Sequence, residues 1–297
     1  MSKFKIGYFA DGPWAYNAFR LLIQDATIEI CFVCVRYDST DGTLAALAAA
    51  HNIPLLKDAN INSTAFCKLV ADYKCDLFVS MSFNQIFKEA IMNIPPLKTI
   101  NCHAGKLPFY RGRNILNWAL INDEKEFGIT VHFVDNGIDT GDIILQKSYP
   151  ITDNDDYKTL LEKAYADCAT VLYEAISLVK DNNFVRIQQS TIHPVGFYCA
   201  QRKPGDEKLN WMQSSRDIFN FIRAICDPGP MARTFLNDTE IKINKARMIE
   251  NAPVYRGNPG QVVGKVNGSL IVKTMDTTIE LVEYFTDAKI KIGDKLK

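Results

Sequence analysis

The sequence predicts an α/β protein in two parts: a doubly wound, mostly parallel sheet first, and a smaller β-barrel after it. Three observations carry that expectation. Over the first hundred residues short β-branched runs alternate with longer amphipathic stretches, which implies parallel strands joined by right-handed crossovers. Toward the C-terminus the pattern changes to short strands separated by Gly, Asn and Asp. The length of 297 residues suits two domains at roughly 100 to 200 residues each.

Taken in order, KIGYFA, EICFVCVRY, DLFVSM and TINCH read as strands, and WAYNAFRLLI, TLAALAAAH, AFCKLVADY and QIFKEAIM between them read as helices. GITVHFVD and DIILQKSYP then form two strands around the turn GIDTG. A long helix is expected from Asp155 to about Lys180, with Leu160, Leu161, Ala164, Cys168, Val171, Leu172 and Ile176 on its apolar face. The turn-rich QRKPGDEKLN marks a linker, so the expected domains are 1–205 and 206–297. After it come a helix, SSRDIFNFIRAI, the break DPGP, and the strands TEIKINKARMI, GQVVGKV, SLIVKT and TIELVEYF. The first part is thus Rossmann-like and the second a small β-barrel, OB-like, or a sandwich.

Composition narrows the function classes. With 47% hydrophobic and 23% charged residues the chain has material for packed cores and no disorder signature. Lys plus Arg equals Asp plus Glu at 34 each, which argues against a nucleic-acid or anionic-membrane partner held by long-range charge. No apolar run approaches the roughly 20 residues that span a bilayer, and a cytoplasmic location is expected. Cys31 and Cys34 form a CxxC, but inside an apolar strand, so a buried pair of thiols is expected and no metal site.

Chemistry concentrates in TINCHAGKLPFYRGRN, which joins a strand end to a helix start, the place where doubly wound sheets meet their ligands. Asn101 and His103 are two apart and share one strand face, with Cys102 on the other. Gly105, Pro108 and Gly112 shape the following loop, and Arg111 and Arg113 give it positive charge. GIDTGD sets Asp139 and Asp142 on a turn flanked by Gly137 and Gly141, where a carboxylate can orient an imidazole. The residues alone say only that an Asn, a His and an Asp can converge. Singly, a satisfied His and a turn-forming Asp explain them as well. His132, alternating with Val131 and Phe133, reads as structural, as do His51 and His193.

Together, Asn101-Cys102-His103, LPFYRG at 107–112 and GIDTGD at 137–142 resemble the N10-formyltetrahydrofolate-dependent formyltransferases. That family shows an Asn-x-His, a Leu-Pro-x-Tyr/Trp-Arg-Gly loop and an Asp-x-Gly at this spacing. LNW at 209–211 and FIRAICDPGPMARTF at 221–235 resemble the start of the C-terminal barrel of its two-domain members. The resemblance implies that Asn101, His103 and Asp139 are catalytic. Asn101 is then an oxyanion donor, His103 a second donor or the proton acceptor, and Asp139 its orienter or relay. It also implies N10-formyltetrahydrofolate as co-substrate, held along Met81, Ser82 and Phe83 and along Asp135, Gly137, Ile138, Gly141 and Asp142.

HAGKLPFYRGRNILNWALIN and ADGPWA are similar to sugar N-formyltransferases, nearest the type acting on UDP-linked 4-amino sugars. Arg113, Asn114 and Trp118 depart from the Leu-Pro-x-Trp-Arg-Gly-Ala-Ala-Pro run of the tRNA enzymes. This implies a UDP- or dTDP-linked 4-amino or 3-amino deoxysugar as acceptor, in surface glycan and lipopolysaccharide synthesis. Its expected contacts are Tyr8, Asp11, Gly12, Trp14, Lys106, Tyr110, Arg111, Arg113 and Asn114. Packing of Trp14 in the first helix and a fold-back of Arg111 onto its own loop are the competing expectations. Arg202 and Asp206 of RKPGD resemble residues of sugar-modifying members. A methionyl-tRNA formyltransferase is the alternative, and a non-catalytic nucleotide-sugar or folate binder the one of another class. An NAD-dependent dehydrogenase is disfavoured, because the first strand leads into ADGPWA without G-x-G-x-x-G. A homodimer is the expected assembly.

Overall fold

A computed structural model describes residues 2–297. In chain order the first elements are β1 (Phe4–Ala10), α1 (Gly12–Gln24), β2 (Ile28–Val35), α2 (Thr43–Ala50), β3 (Leu55–Lys57), α3 (Thr64–Ala71) and β4 (Leu77–Met81). Next are α4 (Glu89–Met92), β5 (Thr99–His103), β6 (Arg111–Gly112), α5 (Ile115–Ile121), β7 (Glu126–Phe133) and β8 (Ile143–Pro150). Then come α6 (Tyr157–Lys180), α7 (Gln189–Ile192), β9 (Tyr198–Cys199) and α8 (Ser215–Ala224). The last five are β10 (Ala232–Leu236), β11 (Thr239–Met248), β12 (Val262–Val266), β13 (Ser269–Lys273) and β14 (Thr278–Phe285). No described helix is long and apolar enough to cross a membrane.

The elements gather into two compact units. The first holds the chain up to Gly112, Phe127–Tyr149 and Glu162–Cys199, and the second holds Arg113–Glu126, Pro150–Leu161 and Ala200–Lys297. The boundary expected after residue 205 therefore lies inside the second unit, which also draws in two stretches of earlier chain.

In the first unit seven strands run in the order β3-β2-β1-β4-β5-β7-β8. They are parallel from β3 to β5, and β7 lies antiparallel to β5. The order reverses between β1 and β4, which opens a crevice at the carboxyl ends of these strands, beside β5. Burial of β2 and β4 along nearly their whole length follows from cover on both faces. Phe9 sits at the centre, meeting the rings of Phe32, Phe66, Phe78, Phe83 and Phe87 mostly edge to face. Gly7 makes that packing feasible, since a Cβ there would fall on the Phe32 and Phe78 rings. Cys31 and Cys34 are buried in β2.

Two expectations about elements change. QIFKEAIM is helical only over Glu89–Met92. Gln85 accepts from the Ile61 N–H and donates to the Asp58 carbonyl, while Asn62 accepts from the Lys88 N–H and donates to the Ile86 carbonyl. Asn62 thus takes up backbone groups of 86 and 88 that a helix would have used, and Gln85 pins the start of the segment to 58–61, leaving 85–88 outside the helix. The three-residue β3 at the sheet edge has too few residues to show a period.

In the second unit an antiparallel sheet runs β10-β11-β14-β13-β12. Its two edges are joined by the C-terminal segment: Phe235 exchanges both backbone bonds with Lys297, Val262 donates to Asp294, and Leu296 donates to Gly260. That segment bridges the two edges and closes the sheet barrel-fashion. Helix α8, capped by Ser214 on the Asp217 N–H, packs against β11 and β14 with Ile218 and Ile222 fully buried, and the Arg216 and Arg223 guanidiniums lie over its Phe219 ring.

A buried guanidinium explains why the second unit recruits distant chain. Arg223 donates from Nη1 to the carbonyls of Thr152 (2.6 Å) and Asp155 (3.1 Å) and from Nε to Asn220 (3.0 Å). Arg216 beside it pairs with Asp123 and, at 2.7 Å, with Asp153. Asn117 adds a bond to the Ala224 carbonyl. Residues 113–126 and 150–161 are thus tied to α8 by groups that cannot be left unpaired at low cost. Replacing Arg223 with Ala strands two carbonyls and is expected to lower stability by about 3 kcal/mol. Urea unfolding followed by circular dichroism checks this, and a change under about 0.5 kcal/mol, the size typical of surface substitutions, contradicts it.

Candidate active site

The site forms where β5 meets β7. Their antiparallel register places His132 directly opposite Asn101 and Thr130 opposite His103. Asp139 arrives from the β7–β8 turn with its carboxylate between the two rings, 3.7 Å from His103 Nδ1 and 3.5 Å from His132 Nε2. Asn101 Nδ2 lies 3.3 Å from His132 Nε2. The three residues expected to converge do so, within the first unit alone.

Hydrogen bonding fixes where the protons sit. His103 Nε2 is 2.7 Å from the Tyr110 carbonyl, and His132 Nδ1 is 2.8 Å from the Phe133 carbonyl. A carbonyl only accepts, so both of these nitrogens carry hydrogen. His103 therefore turns its Nδ1 edge to Asp139, and His132 turns its Nε2 edge to Asp139 and Asn101. Burial pushes the Asp139 carboxyl up. The neighbouring imidazoles of His103 and His132, a bond from His132 and the Gly112 N–H at 2.9 Å outweigh it and hold the group well below the usual carboxylate range. Asp139 is an anion in this setting.

Local sequence builds this geometry. A Cβ on Gly105 would strike the His103 ring and the Tyr110 carbonyl, so their contact requires a glycine. Gly141 is needed for a similar reason, since a side chain there would run into the Phe133 carbonyl. Asp135 accepts from the Gly137 N–H and the Thr140 hydroxyl, which makes it the former of the turn. Thr130 donates to the Gly105 carbonyl, and Gln146 donates to Leu107 and Thr130, tying the loop to β7 and β8.

The other expected residues divide. Met81 ends β4 with its side chain buried and its sulfur accepting from Tyr8, so only its backbone faces the crevice. Ser82 has φ 54° and holds the Arg36 guanidinium on its carbonyl and hydroxyl. Phe83 packs on Phe9 and Phe87. Ile138 is half exposed on the turn, and the Asp142 carbonyl accepts from Phe133. Tyr8 is fully buried and donates to the Ala15 carbonyl, so it presents nothing to an acceptor, contrary to the expectation. Asp11 caps α1 through the Gly12 N–H and receives the Ser39 hydroxyl; Gly12 has φ 70°. Trp14 meets the Tyr165 ring at 4.6 Å. The Lys106 stem covers Gly128, and the Tyr110 ring packs on Phe197. Arg111 does not fold back onto its own loop: it donates to Gln189 in α7 and lies over Tyr198 in β9.

In the second unit, Arg113 donates to Gln201, Asn114 accepts from the Arg202 N–H, and Trp118 donates to the Ala200 carbonyl. All three are held by residues 200–202. Two residues of the site escaped sequence reasoning. His132 looked like a strand residue, and only the register with β5 brings it to Asp139. Gln189, buried in α7 and bonded to the Asp139 carbonyl, belongs to neither motif.

Residues 19–176 match the family described as formyl transferase, and residues 202–293 match the formyl transferase C-terminal domain. The methionyl-tRNA formyltransferase of Pelobacter propionicus is 32% identical over 80% of this chain and 72% of its own length. Among solved structures, the sugar 3N-formyl transferase WlaRD, determined with dTDP and 5-N-formyl-THF, superimposes with a TM-score of 0.71 at 23% identity, covering 98% of this chain and all of that one. The Helicobacter canadensis N-formyltransferase, in complex with folinic acid and dTDP-3-aminofucose, gives 0.72 at 22% identity over 96% of this chain and 100% of its own.

A carboxyl held below its usual value stabilises the fold above the unfolded-state value and loses that contribution as pH falls toward the folded one. The stability advantage of the wild type over Asp139→Asn is therefore expected to stay level above about pH 5 and to shrink below about pH 4, near the ordinary Asp value. Urea titrations of both proteins from pH 7 down to pH 3 test this, and an advantage that grows on acidification refutes it.

Proposed function

Because the chain belongs to the formyl transferase family, we propose that it transfers a formyl group from N10-formyltetrahydrofolate to the amine of a nucleotide-linked amino sugar. The observation that carries the transfer is the meeting of Asn101, His103 and an anionic Asp139 at the end of β5. The amine nitrogen bonds to the formyl carbon, the formyl oxygen takes up negative charge, and collapse breaks the bond to N10, which receives the proton back from the His103 imidazolium as tetrahydrofolate leaves. Asn101 Nδ2, 3.3 Å from His132 Nε2, is placed to donate to the developing oxyanion. With Nε2–H committed to Tyr110, His103 takes the amine proton on its Nδ1 edge, where the Asp139 carboxylate stabilises the imidazolium. His132 shares that carboxylate.

The folate fits along the backbone after β4, from Met81 to Phe83, and the Asp135–Asp142 turn. The turn's polar side chains are taken by the turn itself, so backbone groups and the exposed Ile138 are what remain for a ligand. For the acceptor, support comes from the run Arg113, Asn114 and Trp118. These residues differ from the tRNA-enzyme pattern and act as a set, all bonded to residues 200–202. An even charge balance adds to it, since an enzyme of tRNA is served by a basic face. The two solved sugar enzymes share the whole fold. We place the reaction in the cytoplasm, in the supply of formylated sugars for surface glycans, with a homodimer as the working assembly. The second reading, formylation of methionyl-tRNA, is favoured by the 32% identity to the Pelobacter enzyme.

Tetrahydrofolate release, measured with a panel of UDP- and dTDP-linked amino sugars beside charged initiator tRNA, separates the two. Turnover on tRNA alone removes the sugar reading, and turnover on no amine removes both. With the acceptor in hand, His103→Ala and Asp139→Ala are each expected to lose about 100- to 1000-fold in kcat, with unfolding midpoints close to wild type. Near-wild-type kcat in either variant defeats the assignment.

A further inference from the structure

The aspartate at the centre of the site is held by more than its histidines. Gln189 is buried, and its carboxamide is saturated. Nε2 donates to the carbonyls of Asp139 and Gly141, both at 2.8 Å. Oε1 accepts from Arg111 Nε at 3.1 Å and Nη2 at 2.6 Å. The amide cannot flip: reversal would set its N–H groups against guanidinium N–H groups and its oxygen against two carbonyls. Its orientation is fixed by four bonds, two of them charge-assisted.

Tyr110, Arg111 and Gly112 thus all end on the same pair. The Tyr110 carbonyl receives His103, the Gly112 N–H reaches the Asp139 carboxylate, and Arg111 reaches the Asp139 backbone through Gln189. Asp139 stands at φ 54°, in the sparsely populated left-handed region, where a peptide needs outside support to stay. We propose that Gln189 is a positioning residue that holds the acidic turn so that the Asp139 carboxylate faces His103. The activity arm of its test rests on the formyl-transfer reading, and a spectroscopic arm does not.

Gln189→Met keeps the volume and removes every polar bond. In the tetrahydrofolate-release assay, with N10-formyltetrahydrofolate and the amino sugar identified from the panel, kcat is expected to fall about 100-fold, as for a misplaced catalytic group. The KM for the folate should stay within about twofold. In an Asp139→Asn background the same substitution should remove nothing further, since its effect acts through Asp139. Without any substrate, nitrogen NMR of the imidazoles should show the His103 signals displaced by Asp139→Asn, and displaced in the same sense by Gln189→Met. Wild-type kcat in Gln189→Met, a full additional loss in the Asp139→Asn background, or unmoved His103 signals each overturn the proposal. Should Gln189→Met fail to fold, Gln189→Glu, which keeps the acceptor for Arg111 and withdraws both N–H groups, replaces it with the same readouts. If the wild type releases no tetrahydrofolate with any amine, the transfer reading falls, and the imidazole signals alone decide the role of Gln189.

Discussion

An imidazole with an oxygen at each of its nitrogens is the constraint around which the first unit is arranged. His103 points one N–H at the Tyr110 carbonyl and its other edge at the Asp139 carboxylate, inside a site from which bulk water is largely excluded. Buried oxygens facing a ring in this way demand that it be held still, because a small rotation unpairs both at once. The glycine at 105 exists to let the ring and the carbonyl touch. The antiparallel β7, an exception in an otherwise parallel sheet, exists to bring a second histidine and the acidic turn to the same place. A purely parallel strand at that position would leave by a crossover and could not return a short turn to its neighbour's end.

How much of this was legible in the chain depends on how local the information is. The strands of the first unit announced themselves because burial on both faces makes them continuous apolar runs. Asn101 and His103 were legible as partners because a strand repeats every two residues. Asp139 was legible only as the acid of a glycine turn, and its proximity to His103 came from the family resemblance. Where tertiary contacts decide, periodicity failed. Gln85 and Asn62 unwound an amphipathic stretch, and His132 needed a register that no single strand specifies. Tyr8 shows the reverse error: an aromatic at a strand end looks like a ligand contact until its hydroxyl is found bonded in the core.

The second unit teaches a related lesson about where domains end. A linker rich in Pro and Gly suggests a cut after residue 205, yet one buried arginine reaches carbonyls from a segment some 70 residues earlier. Guanidinium groups cross-link chain in this manner because five donors on a rigid fork can satisfy several backbone acceptors at once. The run Arg113, Asn114 and Trp118 is bound to residues 200–202 by three separate bonds, so a change in one segment asks for a change in the other. Loop identity in this part of the molecule is a property of two segments together.

The left-handed backbone at Asp139 narrows what this position has been free to become. Among residues other than glycine, Asp and Asn are the ones that tolerate such a conformation with least strain. A longer acid carries more strain in this backbone, and glycine loses the carboxylate. The accessible single-step neighbour is the uncharged amide of the same shape, which keeps the turn and loses the anion. A displaced acid at this position is therefore disfavoured. Any retuning of its acidity falls to the surrounding histidines and the Gly112 N–H, and drift at the aspartate itself leaves a folded protein whose two rings have lost their shared counter-charge.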